Sequence, residues 1–188
     1  MFHKPAYSCL QYVITNKRGQ ITQTKDLGLF DKIFGTKETA PPWDDIKTTD
    51  KVYPENSITV FTLQTKDGPG TGWVDMGYKK YPYKKNCRYN FLIKVDLTDD
   101  IAEKNPDIDM GTIEDFFTDE LRKICIAHIV GRLVTDKGLN IEMYLEKLEE
   151  PQRQLEYLSK KADRLFSFEV DANEDPWWLA MRGLMKLS

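Results

Sequence analysis

IAHIVGRLVTDKGLNIEMYLEKLEEPQRQLEYLSKKADRLFSFEVDANEDPWW, residues 126–178, is the stretch whose periodicity decides the architecture. Ile129 to Thr135, then Asp136-Lys137-Gly138, then Leu139 to Glu146 read as a β-hairpin, with Gly138 expected in the left-handed position of its short loop. Leu139, Ile141, Met143 and Leu145 point one way, and Asn140, Glu142, Tyr144 and Glu146 the other, which is the period of a strand. Glu149-Glu150-Pro151 opens a helix, because carboxylates suit its positive end and proline suits its first turn. Leu155 and Leu158 face inward, and Lys160-Lys161 close it. Arg164 to Val170 reads as a strand with Phe166, Phe168 and Val170 inward. Asp175 then caps a last helix with Pro176 in its first turn, carrying Trp177, Met181 and Leu184 along one side.

Upstream, Arg88 to Leu97 alternates with Tyr89, Phe91, Ile93, Val95 and Leu97 on one face. From Thr112, a plausible N-cap, the period becomes helical through Ile113, Phe116, Phe117, Leu121, Ile124 and Ala127 or His128. The order from Arg88 is therefore β-α-β-β-α-β. That order predicts an α+β, ferredoxin-like split β-α-β sandwich: an antiparallel sheet with helices on one face. Ser57 to Gln64 is apolar on both faces, as in a well-covered strand. Asp67-Gly-Pro-Gly-Thr-Gly72 is expected to turn. The prediction is thus a ferredoxin-like domain over 57–188 with extra N-terminal strands and a C-terminal helix.

Residues 1–56 read as a partly disordered appendage, polar and Pro-containing, with one short amphipathic turn at 28–35 (Leu29, Phe30, Ile33, Phe34). That octet resembles the opening of small bacterial cytosolic proteins, so a native start near Leu27 is an expectation for this segment. The whole chain has 188 residues, 40% hydrophobic and 30% charged, with a formal net charge of −3. A chain of this length buries roughly 70% of its unfolded surface and needs neither metal nor disulfides for stability. The net charge argues against a dedicated nucleic-acid binder but leaves room for a local basic patch. Cys9, Cys87 and Cys125 form no paired motif and fit a reducing compartment. No run approaches the roughly 18 apolar residues of a membrane span. A cytoplasmic location is the expectation.

The search for chemistry gives no catalytic residue, metal site or cofactor motif. His128 lies on the apolar stripe at a predicted helix end and reads as a core imidazole. Cys125 and His128 lie three residues apart, yet no third group orients them as a nucleophile and base. The glycine run at 67–72 lacks the Lys-Ser/Thr ending of a phosphate loop. Asp107-x-Asp109-x-Gly111 lacks the further carboxylates of a calcium loop. Asp96, Asp99, Asp100 and Glu103 read as a solvated acidic loop.

Val130-Gly-Arg132, Thr135 with Gly138, Tyr144, and Asp175-Pro-x-Trp178 resemble the DUF695 family of uncharacterised bacterial proteins. That family is similar in fold to the RraB regulators of ribonuclease E, which act by binding. The resemblance covers about 57–188 and implies a ferredoxin-like fold and a regulatory, protein-binding role. Met181 stands where the family pattern often carries Tyr. Two surfaces are the contact candidates. The first is Tyr78 to Tyr89, with five cations and four tyrosines in twelve residues. Its Lys79, Lys80, Tyr81, Tyr83, Lys84 and Lys85 suit another protein, an acidic ligand or RNA. The second is Arg132, Tyr144 and Trp178, residue types that dominate binding hot spots. Two adjacent helix residues cannot both face the core centre; Trp177 is expected in the core, and Trp178 either in a second packing layer or at a contact site. An immunity-type binding protein and a metal-assisted hydrolase using the acidic loop are the alternatives.

Overall fold

The structure, a computed structural model, describes residues 40–48, 54–66 and 68–187. The amphipathic turn at 28–35, His3 and Cys9 lie outside the described residues. The elements are α1 (Trp43–Thr48), β1 (Ile58–Thr65), β2 (Gly68–Asp75), β3 (Tyr89–Asp96), α2 (Asp100–Lys104), α3 (Met110–Arg122), β4 (Ala127–Thr135), β5 (Gly138–Leu145), α4 (Glu149–Ser159), β6 (Ser167–Glu174) and α5 (Leu179–Met185). A 3-10 turn at Met76–Lys80 follows β2. All six strands join one antiparallel sheet in the order β1-β2-β4-β5-β3-β6. The class is α+β.

One face of this sheet carries the main core. Alternation in β3 and β5 puts Phe91, Ile93, Val95, Leu139, Ile141, Met143 and Leu145 there, all buried. Ile113, Phe117 and Leu121 of α3 close over them, as do Leu155 and Leu158 of α4. Phe117 stands edge-on to Phe168 at 4.9 Å and 84°. Each such aromatic contributes roughly 1.5–3 kcal/mol by leaving water.

The opposite face is also covered, which the repeat alone does not predict. Phe61, Leu63, Val74, Val130 and Tyr144 of the sheet meet Tyr78, Tyr81, Cys87, Trp178 and Met181 in a second cluster. The cover is the 3-10 turn, the irregular segment that follows it, and α5. Trp43 of α1 packs on this cluster, 5.3 Å from Tyr83. Lys47 of α1 pairs with Glu146 at 2.6 Å. Residues 40–48, within the stretch assigned to an appendage, therefore touch the domain.

Several local expectations shift. β1 is an outer strand with Ile58 and Val60 exposed, rather than a covered one. Its two faces differ because α3 packs on β4 and α4 on β6, away from it. The glycine-rich run is mostly strand β2, and only Gly68 takes positive φ (107°), where a side chain would be strained. Gly138 does not take the left-handed position. It begins β5, where an added Cβ would lie 2.4 Å from the Val95 carbonyl oxygen. α3 starts earlier than Thr112, because Asp109 caps it by accepting from the Thr112 amide at 2.9 Å. Ala127 and His128 belong to β4 and not to a helix end. The acidic loop contains the short helix α2, capped by Asp99. β6 begins at Ser167, where pairing with Asp96 of β3 starts.

Candidate contact surface

The second cluster is organised by one histidine and one tryptophan. His128 projects from β4 between two phenols. Tyr78 Oη lies 3.0 Å from its Nδ1 and Tyr81 Oη 2.9 Å from its Nε2. A neutral imidazole has one donor and one acceptor nitrogen, so it satisfies both hydroxyls at once. Burial, with the Arg122 guanidinium nearby, pushes its pKa down to about 3. A base that holds no proton at neutral pH and has both nitrogens engaged is a structural knot. Burial raises the phenol of Tyr78 in the same sense.

Trp178 is fully buried and stacks on Tyr144 at 4.0 Å and 11°. Its indole Nε1 donates to the Cys87 carbonyl at 2.8 Å and the Lys84 carbonyl at 3.1 Å. Tyr144 donates to Asp175 Oδ2 at 2.6 Å, and Asp175 also accepts from the Ala180 amide at 3.1 Å. Trp178 adopts φ 53° and ψ 49°, a left-handed conformation that costs a tryptophan energy and persists only under such constraint. That backbone bend delays α5 to Leu179 and turns the neighbouring Trp177 outward. Trp177, expected in the core, is therefore 59% exposed, while Trp178, 0% exposed, takes the second packing layer and not a contact site.

The sequence-predicted contact residues divide accordingly. Lys79, Lys80 and Lys85 are exposed, and Lys84 is half-buried. Lys84 donates from Nζ to the Lys79 carbonyl at 2.9 Å; burial, and after it the nearby Arg182, lower its pKa. Tyr81 is buried on His128, and Tyr83 is half-buried against Trp43. Tyr144 and Trp178 are core residues and not contact residues, because each ring finds both an aromatic neighbour and a partner for its polar atom. Arg132 is half-buried and pairs with Glu114 of α3, far from the tyrosines in the packing scheme. Its register partner is Ile141, which faces the main core, so Arg132 serves the helix-covered face.

What the fold brings together on the outside is a different set. Lys85 Nζ lies 5.9 Å from the centre of the Trp177 ring, within cation–π reach. Leu179 is exposed two residues on, and Arg182 is exposed one turn further along α5. Arg88 lies over the Tyr89 ring at 5.2 Å and pairs with Glu174 at 3.3 Å. Trp177, Leu179 and Arg182 were missed at the sequence level. The doubled tryptophan signals that one ring faces outward, but only the backbone of Trp178 says which.

The chemistry-bearing groups elsewhere do not converge. Cys125 packs against the main core whereas His128 sits in the second cluster, on the opposite face. Burial raises the thiols of both Cys87 and Cys125, which disfavours a thiolate. Asp99 and Asp109 are occupied as helix caps. Among the described residues no three His, Cys, Asp or Glu side chains group as metal ligands. No described helix is long and apolar enough to cross a membrane. An open groove of about 520 Å³ lies between the β4–β5 turn and the start of β6, lined by Lys94, Lys137, Asn140, Arg164 and Glu169 among others. Its charges are mixed, and Lys94 is held by Asp171 at 2.5 Å.

One buried carboxylate is distinctive. Glu142 of β5 is almost fully enclosed and accepts a hydrogen bond from Asn90 Nδ2. Burial pushes its pKa up to about 7; Asn90 opposes the shift, and Asp175 adds to it. Comparison of the chain with family models, with curated proteins and with solved structures finds no match.

Proposed function

We propose that the chain is a non-enzymatic, cytoplasmic binding module of the ferredoxin-like, split β-α-β type, in the manner of the DUF695 proteins whose motifs it resembles and of the RraB regulators to which that family is similar in fold. The strand order β6-β3-β5-β4, with α3 and α4 as its two crossovers, supports the fold part of this reading. Its partner is a protein with an acidic surface, and its contact face is the cation-and-tryptophan patch.

The observation that carries the reading is Trp177. A large ring 59% exposed with Lys85 over it sets a tryptophan and a cation side by side, and tryptophan is enriched in binding hot spots. Tryptophan beside cations suits a partner that offers an apolar pocket rimmed by carboxylates. Lys79, whose carbonyl accepts from Lys84, and Arg182, whose charge acts on Lys84, add exposed cations to the same segment.

The test uses the tagged full-length chain as bait in lysate of its native host. Wild-type bait should capture an acidic protein whose recovery falls as salt rises. Trp177→Ala and the Lys79→Glu/Lys80→Glu/Lys85→Glu triple variant should each lose it. Retention of the same partner by both variants, with no salt dependence, overturns the proposal. Loss of capture on nuclease treatment assigns the surface to RNA instead.

A further inference from the structure

We propose that the chain self-associates through β1, two copies pairing the outer edges of their β1 strands antiparallel about a two-fold axis and so joining two six-stranded sheets into one. β1 ends the sheet on one side and bonds only β2 among the described strands. Among the described residues, its outer edge along 58–64 has no strand on it to take up the alternate N–H and C=O groups. An edge of this kind is a template for another strand unless something blunts it.

Nothing in β1 blunts it. Ile58–Thr65 reads ITVFTLQT, with no charge, no proline and no glycine, and most of its residues favour strands. The other edge, β6, is built the opposite way. It carries Glu169, Asp171 and Glu174; Asp171 is tied to Lys94 of β3, and Glu174 to Arg88 just before that strand. Two copies of β6 would bring like charges face to face. Two copies of β1 bring none.

The exposed side chains of β1 say what the occupant is. Val60 is 66% and Ile58 51% exposed, on the face that α3 and α4 leave uncovered beside Trp73. A charged partner strand would desolvate its charges there for no return. A second copy supplies the same neutral length and the same aliphatic pair, so the two strips continue one another across the axis. The contact is isologous and uses up the β1 edge of each copy, and the remaining β6 edges are acidic. Association therefore closes at a dimer and does not propagate into a filament. Phe61 and Leu63, on the other face of β1, are already buried within each copy.

Sedimentation velocity of the full chain, run as a concentration series into the high micromolar range, tests this. The wild-type chain should shift from monomer to dimer and stop there. Val60→Lys sets two ammonium groups near the axis and should weaken the dimer at least tenfold, equivalent to about 1.4 kcal/mol. Val60→Thr should keep it. Because Val60 is exposed in the monomer, both variants should unfold at the wild-type temperature at concentrations where every chain is monomeric. Amides of 58–64 should gain hydrogen-exchange protection as concentration rises. A wild-type chain that stays monomeric throughout the series, or a Val60→Lys chain that dimerises as well as wild type, overturns the proposal.

Discussion

Glu142 and His128 lie under the same layer of the fold and pull stability in opposite directions with pH. Folded Glu142 keeps its proton up to about pH 7, whereas the unfolded chain releases it near 4.5. Its contribution is fully present below about 4.5 and is lost as pH rises to 7. Folded His128 resists protonation down to about pH 3, whereas the unfolded imidazole takes a proton near 6.5. Its contribution is present above 6.5 and is lost as pH falls. Between 4.5 and 6.5 both slopes apply, each about 1.4 kcal/mol per pH unit, and they cancel. Glu142→Gln removes one slope and exposes the other. Relative to the parent, this variant should lose about 3 kcal/mol on going from pH 6.5 to 4.5, read from urea unfolding at each pH. Parallel pH profiles for the two chains would show that Glu142 does not hold its proton in the folded state. His128 read as a core imidazole in the sequence and is one, whereas Glu142 alternates with core residues as an outward side chain would, and only the second layer encloses it.

At the scale of elements, the Asp175–Leu179 bend is the part whose details were least legible. Its composition marks a helix start, and Asp175 does anchor it, yet the tertiary stack on Tyr144 forces Trp178 out of helical φ and ψ. Trp178→Ala should therefore cost about 3–5 kcal/mol in denaturant unfolding, the range for emptying an aromatic core site. Trp177→Ala should stay within about 0.5 kcal/mol of wild type. Equal losses would mean that both rings are packed. The start of α3 offers a finer comparison. Asp109 accepts from the Thr112 amide and hydroxyl, so Asp109→Ala should cost about 1 kcal/mol and Thr112→Ala less, by the same measurement. Sequence pattern placed α3 and α4 well because their apolar stripes are strong. It misjudged ends, because the caps that set them are single side chains with several candidates nearby.

For the molecule as a whole, the strand alternation of β3 and β5 and the two helical stripes were enough to give an antiparallel sheet with α3 and α4 over its main core. The second layer was not readable in the same way. Much of it is made from the 3-10 turn and the irregular segment after it, Tyr78 to Arg88 together, with no period of its own, whose lysines and tyrosines mimic a binding motif. Folding sorts them: Tyr78, Tyr81 and Cys87 go inward, while Lys79, Lys80 and Lys85 stay in water. Half of the candidate site was thus legible as charge, and its aromatic half was assigned to the wrong rings. The patch is small and cationic on a chain of net negative charge, so salt should act on partner capture far more than on folding. Urea midpoints that move little while capture falls sharply across the same salt series would fit that division.

The indole of Trp178, bonded to the carbonyls of Lys84 and Cys87, makes two distant pieces of chain a single mechanical unit. The amide of Asp175 adds a third tie, to the Arg88 carbonyl at 2.7 Å. A chain shortened to end at Glu174 consequently loses the scaffold under Lys84 and Lys85 together with Trp177. Deletion mapping would credit the C-terminal tail with contacts that residues ninety positions earlier also make. Point substitutions at Trp177 and Lys85, each leaving those three ties in place, separate the two halves of the face.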